Sequence, residues 1–158
     1  MSSTCWLMKS EPTTFSLDDL AAAPDQTTCW EGVRNYQARN LLRDEVATGD
    51  RVLFYHSACA VPACVGTAVV VREGYPDHHA WDPRHHYHDP KSSPEKPTWY
   101  MVDIRLESRF DKPVSLTEIR QDPLLADMPL LRKGNRLSIQ PVTKRQFDRI
   151  VRLGKAQK

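Results

Sequence analysis

Apolar and polar positions alternate or recur along most of this chain, and the spacing divides it into short elements. Cys5-Trp6-Leu7-Met8 predicts a strand. Ser16 then predicts the cap of a brief helix over Leu17 to Leu20, answered by Asp19 three residues on. From Tyr36 to Val46, Ala38, Leu41, Leu42 and Val46 share one helical face. Gly49-Asp50 marks a turn, followed by a strand from Arg51 to His56. Val65 to Arg72 is nearly continuous in its apolarity, which predicts a strand covered on both faces. Thr98 to Leu106 is the clearest strand, with Tyr100, Val102, Ile104 and Leu106 on one side. Ser115 with Glu118 predicts a capped short helix, and Leu137 to Val142 a last strand ending at Pro141. Thr143 with Gln146 caps a final helix that turns Phe147, Ile150 and Val151 inward.

The segment from Gly74 to Pro97 breaks this rhythm. It is rich in proline and holds every histidine except His56, with few aliphatic residues. Such a composition predicts a long loop, and long ordered loops are often functional. Strict strand–helix alternation is absent, which disfavours a doubly wound sheet. The expected fold is α+β: a mixed, mostly antiparallel sheet curled toward a β-barrel, with short helices outside. At 158 residues, 40% of them hydrophobic, the chain fits one domain over 1–158 with a real core.

Composition narrows the function less than it narrows the fold. No apolar run is long enough to span a bilayer, and the first residues lack the pattern of a secretory signal, so a cytoplasmic protein with no membrane partner is expected. Cys5, Cys29, Cys59 and Cys64 form no CxxC pair, so a zinc ribbon is not expected and idle thiols are. The net charge of +2 is small, but basic residues cluster at 132–136 and from Lys144 to the end. Clusters of this kind attract phosphate, and solvated helix faces look the same.

The densest chemistry lies in Trp30-Glu31-Gly32-Val33-Arg34-Asn35-Tyr36-Gln37-Ala38-Arg39-Asn40. Aromatic rings stack on a nucleobase, amides read its edge and guanidinium groups hold phosphate. This run, together with Trp6-Leu7-Met8-Lys9-Ser10-Glu11-Pro12 and Phe54-Tyr55-His56-Ser57, resembles the EVE domain of the PUA-like superfamily. Asp89-Pro90-Lys91-Ser92, Pro97-Thr98-Trp99 and the stretch from Arg136 to Val142 match later parts of the pattern, so the resemblance spans nearly the whole chain. It implies a barrel-like sheet flanked by helices. It also implies a non-catalytic domain whose partner is nucleic acid carrying a modified base, most often modified cytosine in DNA, with RNA as the other polymer. No cofactor is implied.

A base enters a pocket only after leaving its stack, at a few kcal/mol. An aromatic face returns about 1–3 kcal/mol, and a buried methyl about 0.8 kcal/mol. The methyl alone gives under tenfold preference, so shape and edge hydrogen bonds must supply the rest. Trp30 and Tyr55 are the candidate walls. The alternative for Trp30 is core packing, and for Tyr55 a rim position with a satisfied hydroxyl. Glu11 can accept from a cytosine amine or form a local ion pair, and Ser10 lies beside it. Asn35 can read a base edge or cap the helix that follows. His56, Ser57, Ser138 and Gln140 complete the candidate base-binding set, and Lys9, Arg34, Arg39 and Arg136 the phosphate-binding one. The family pattern lacks the histidines of 78–88, and a polar loop is expected there rather than a metal site. Two other functions stay open: a sensor of a free nucleobase or nucleotide using the same pocket, and an enzyme on modified bases. His56 and Ser57 are adjacent on a strand and point oppositely, which speaks against a catalytic pair.

Overall fold

The computed structural model describes residues 4–30, 33–134 and 137–155. Six strands form one sheet in the order β2-β5-β4-β3-β1-β6. They are β1 (Cys5–Ser10), β2 (Thr27–Cys29), β3 (Arg51–His56), β4 (Ala63–Pro76), β5 (Tyr100–Ser115) and β6 (Ile139–Val142). Only β1 and β3 run parallel; the other four pairings are antiparallel. The sheet is mixed and mostly antiparallel, as expected, but it does not close into a barrel. The outer strands β2 and β6 are three and four residues long and each has one partner strand. Repeated register shifts between β4 and β5 bend the sheet instead. At one of them Gly66 lets the strands touch: a Cβ there would sit 2.5 Å from the Ser108 carbonyl oxygen.

Both faces of the sheet are apolar, which accounts for the near-continuous hydrophobicity of β3 and β4. Trp6, Met8, Phe54, Val70 and Ile104 face one layer, covered by α1 (Leu17–Ala22) and α2 (Tyr36–Asp44). Leu7, Leu53, Tyr55, Cys64 and Val114 face the other, covered by α3 (Leu116–Gln121) and α4 (Lys144–Leu153). All three capping boxes form, at Ser16/Asp19, Ser115/Glu118 and Thr143/Gln146. In the turn before β3, Gly49 takes φ +94°, and the buried Asp50 carboxylate accepts from the Trp6 indole N–H at 2.9 Å and the Ala47 amide at 2.9 Å. That carboxylate ties the start of β1 to the start of β3. All four cysteines are free thiols.

The largest departures from the sequence pattern are the ends of the two long strands. The strand predicted over Val65–Arg72 runs on to Pro76, and the one from Thr98 extends to Ser115. Pairing between these two long strands, rather than their own composition, carries them through polar residues.

Candidate nucleobase recess

At the C-terminal end of β1 the chain turns sharply. The Glu11 carbonyl accepts from the Thr14 and Phe15 amides, both at 2.9 Å, and the Ser10 hydroxyl donates to the Phe15 carbonyl at 2.6 Å. This turn brings Phe15 back over the strand end and forms one wall of an open recess of about 670 Å³. Lys9, Ser10 and Glu11 line it from β1, and Cys29 and Trp30 from the end of β2. Its far wall is His85, His86 and Tyr87, from the histidine-rich loop. Ser138 borders it ahead of β6, where its carbonyl accepts from the Lys9 amide at 2.8 Å.

Trp30 is both wall and core. Its ring stands edge-on to Phe54, with centroids 5.5 Å apart at 88°, and only 8% of the residue is exposed. Its amide is fixed by a 2.6 Å hydrogen bond to the Val102 carbonyl. The recess is also lined by two charged groups without a described partner. No hydrogen bond or ion pair joins the Glu11 carboxylate or the Lys9 ammonium to any described residue. Burial pushes the Lys9 pKa below the ordinary lysine value, so a ligand acceptor at its ammonium would offset a desolvation penalty already present.

The structure thus brings together Trp30, Ser10, Glu11, Lys9, Arg34 and Ser138 from the expected set. It places the others elsewhere. Tyr55 alternates with Phe54 along β3 and so faces the second core layer, where burial pushes its pKa up to about 12. Gln140 pairs with Leu7 on that same side, buried, its amide donating to the Leu137 carbonyl at 2.8 Å. Asn35 is the N-cap of α2, accepting from the Ala38 amide at 3.0 Å. Arg39 donates to the Thr98 carbonyl at 2.7 Å and lies over the Tyr36 ring. Ser57 lies outside the recess, its amide bound to the Ser10 carbonyl. Arg136 falls outside the described residues.

His56 serves the scaffold instead. Its Nε2 accepts the Leu17 amide at 3.1 Å, pinning the first turn of α1, and burial lowers its pKa. Protonation would destroy that acceptor. With the folded pKa below the unfolded value of about 6.5, the unfolded chain binds more protons between the two. The contribution is therefore complete above pH ~6.5 and is lost as pH falls from there toward the folded pKa. Thermal melts from pH 8 to 5 are expected to show this loss, and His56→Gln should flatten the curve over that window. An unchanged curve would exclude the role.

Arg34 lines the recess without being free to serve it. Its guanidinium donates to the Val33 carbonyl at 3.1 Å, to Asp77 at 3.2 Å and to the Tyr87 carbonyl, and lies 5.3 Å from the Trp99 ring centroid. The Asp77 carboxylate is fully buried and also caps the helical turn at His78–Trp81. Further along the loop, the Trp99 indole donates to Asp89 at 2.6 Å, which holds that carboxyl below the usual range. Ser92 accepts from Trp81 and from the Thr98 amide. The Asp89 to Ser92 and Pro97 to Trp99 motifs are thus the fastenings of the loop. No group of three or more His, Cys, Asp or Glu residues among the described residues is arranged to hold a metal ion; the His79 ring stacks on His85 and lies tilted at 44° to His78 instead.

Phe15, Cys29, Val33 and Tyr87 are walls that sequence reasoning did not single out, and His85 and His86, weighed there only for metal, are walls as well. A signal existed for Tyr87, two residues before the Asp89-Pro90-Lys91 motif in a long loop.

Residues 4–153 match the EVE domain family. Thymocyte nuclear protein 1 of Homo sapiens is 42% identical over 167 residues, covering 96% of this chain and 74% of that protein. The Danio rerio protein of that name is 39% identical, covering 94% and 71%. A hypothetical protein from Leishmania major superposes with a TM-score of 0.90 at 43% identity, covering 97% of this chain and 95% of its own. Human THYN1 in complex with 5-methylcytosine-containing DNA superposes with a TM-score of 0.90 at 39% identity, covering 99% and 100%. A YTH domain bound to N6-methyladenosine RNA, at 15% identity and TM-score 0.55, shares the fold alone.

Proposed function

The chain belongs to the EVE domain family, and from that premise we propose that it binds DNA non-catalytically, taking one modified cytosine out of the strand into the recess beside Trp30. The observation that carries this reading is the hollow itself: an open space of about 670 Å³ with an indole on one side and an unpaired carboxylate and ammonium at its edge. The human relative THYN1, crystallised with DNA containing 5-methylcytosine, supports the choice of ligand. Glu11 accepts from the exocyclic amine, which thymine lacks. Lys9 faces an acceptor on the base or its phosphate. Trp30, Phe15 and Val33 surround the ring and its methyl with apolar surface.

Titrating labelled oligonucleotides with 5-methylcytosine or plain cytosine at one position tests the reading. The methyl adds about 0.8 kcal/mol when buried, so about a fourfold preference or more is expected, with affinity for both strands falling as salt rises. Glu11→Ala, at an exposed position, should weaken binding of the modified strand about tenfold with little change in stability. Equal affinity for the two strands in the unaltered protein would sink the modified-base assignment.

A further inference from the structure

The recess is larger than one pyrimidine ring requires. Its volume falls within the range of about 300–1,000 Å³ in which proteins bury whole drug-sized ligands. Its aromatic groups stand in two places from two parts of the chain. Trp30 and Phe15 belong to the strand ends, whereas His86 and Tyr87 belong to the long loop. Nothing in the proposed fit of a single base uses the second pair.

We propose that the His86–Tyr87 wall is a subsite for the nucleotide next to the extruded one, so that the recess takes a two-nucleotide step of a DNA strand. The proposal rests on the reading that the modified base occupies the Trp30 side. Tyr87 is held firmly in place, because Arg34 binds its carbonyl and the same guanidinium lies 5.5 Å from its ring centroid. A ring tethered through its own carbonyl and in contact with a cation is a fixed platform for a second π-face. His86 packs edge-on against Tyr87, with centroids 4.7 Å apart at 72°, and is otherwise exposed. No described residue hydrogen-bonds its ring nitrogens, so an imidazole N–H there can reach a phosphate or sugar oxygen. A strand that sends one base inward must lay its neighbour on the rim, and this rim is aromatic. Stacking of this kind tolerates any base, so the subsite adds affinity without demanding a sequence.

Three probes separate the two claims by NMR titration: 5-methyl-2′-deoxycytidine 5′-monophosphate, a dinucleotide joining it to thymidine, and the same dinucleotide with an abasic neighbour. The abasic form keeps the second phosphate and lacks the second ring. The full dinucleotide is expected to bind about five- to a hundredfold tighter than the abasic one. Tyr87→Ala should shrink that ratio toward one, whereas His86→Ala, which removes a donor to the second phosphate or sugar, should weaken both dinucleotides relative to the monophosphate. His86 is exposed and its ring packs on that of Tyr87, so its variant stays informative even where Tyr87→Ala loosens the loop. A ratio near one in the unaltered protein, or a ratio that survives Tyr87→Ala, overturns the subsite and leaves the base recess standing. Failure of the monophosphate and both dinucleotides to bind removes the base recess, and the subsite with it.

Discussion

Trp30→Ala is expected to lower stability and abolish ligand binding together. The indole is nearly buried, packs edge-on to Phe54 and forms a wall of the recess, so truncation removes core surface and ligand surface at once. Tryptophan-to-alanine changes in cores cost about 3–5 kcal/mol, which for a chain of this size lowers Tm on the order of 10 °C. Loss of a stacking face removes a further 1–3 kcal/mol, roughly, from binding. Calorimetry separates the first effect, and oligonucleotide titration well below the variant's melting point separates the second. Trp30→Phe should recover much of the stability and part of the binding. If Trp30→Ala binds modified and plain strands as the unaltered protein does, Trp30 is core alone and the site lies elsewhere.

The second large effect is expected at Arg34. Removing its guanidinium deprives a fully buried carboxylate of a charged partner, and releases the Tyr87 carbonyl and the Trp99 face together. Breaking a buried ion pair from one side costs about 3–5 kcal/mol; here the value falls at the lower end, because Arg34 is a quarter exposed and Asp77 keeps contacts to His79. Arg34→Lys should rescue little, since an ammonium cannot bridge two carbonyls and a carboxylate in one plane. The double change Arg34→Ala with Asp77→Asn should recover part of the loss, because the orphaned charge is gone. Hydrogen exchange would show where the energy resides: amides across 77–99 are expected to lose protection, with the β3–β4 pairing unaffected. Uniform loss throughout the sheet would contradict a local clamp.

Much of this architecture was legible in the chain, and the parts that were not share a cause. Caps are local, so Ser16, Ser115 and Thr143 announced their helices within four residues. Alternation is local too, and β1 and β3 stand close to where the pattern put them. Strand length is not local: β4 and β5 reach beyond their apolar runs because each is the other's partner. The site followed the same division. Trp30, Ser10, Glu11 and Lys9 were legible through the family motifs that contain them. Tyr55 and Gln140 were misplaced because a strand buried on both faces gives no sign of which face holds the hollow. Arg34 was legible as important but not for the role it fills, since its partners sit on a distant loop, whereas Asn35 fills the helix-capping role the sequence already offered. Tyr87 went unnoticed as a wall, and His86 was weighed only for metal, because a wall made by a loop exists only after the loop is fastened.

The pairing of β1 with β6 carries a consequence for the order of assembly. Lys9 takes its amide partner from Ser138, and Trp6 and Leu7 lie against Pro141 and Gln140, so the floor of the site joins the earliest and latest described strands. During synthesis the emerging N-terminal portion must wait, with β1 unmatched on one side, until β6 leaves the ribosome. A nascent chain halted before residue 137 would therefore have every aromatic group of the cavity yet lack the edge that shapes it, and a complete recess would arrive only once that stretch had emerged.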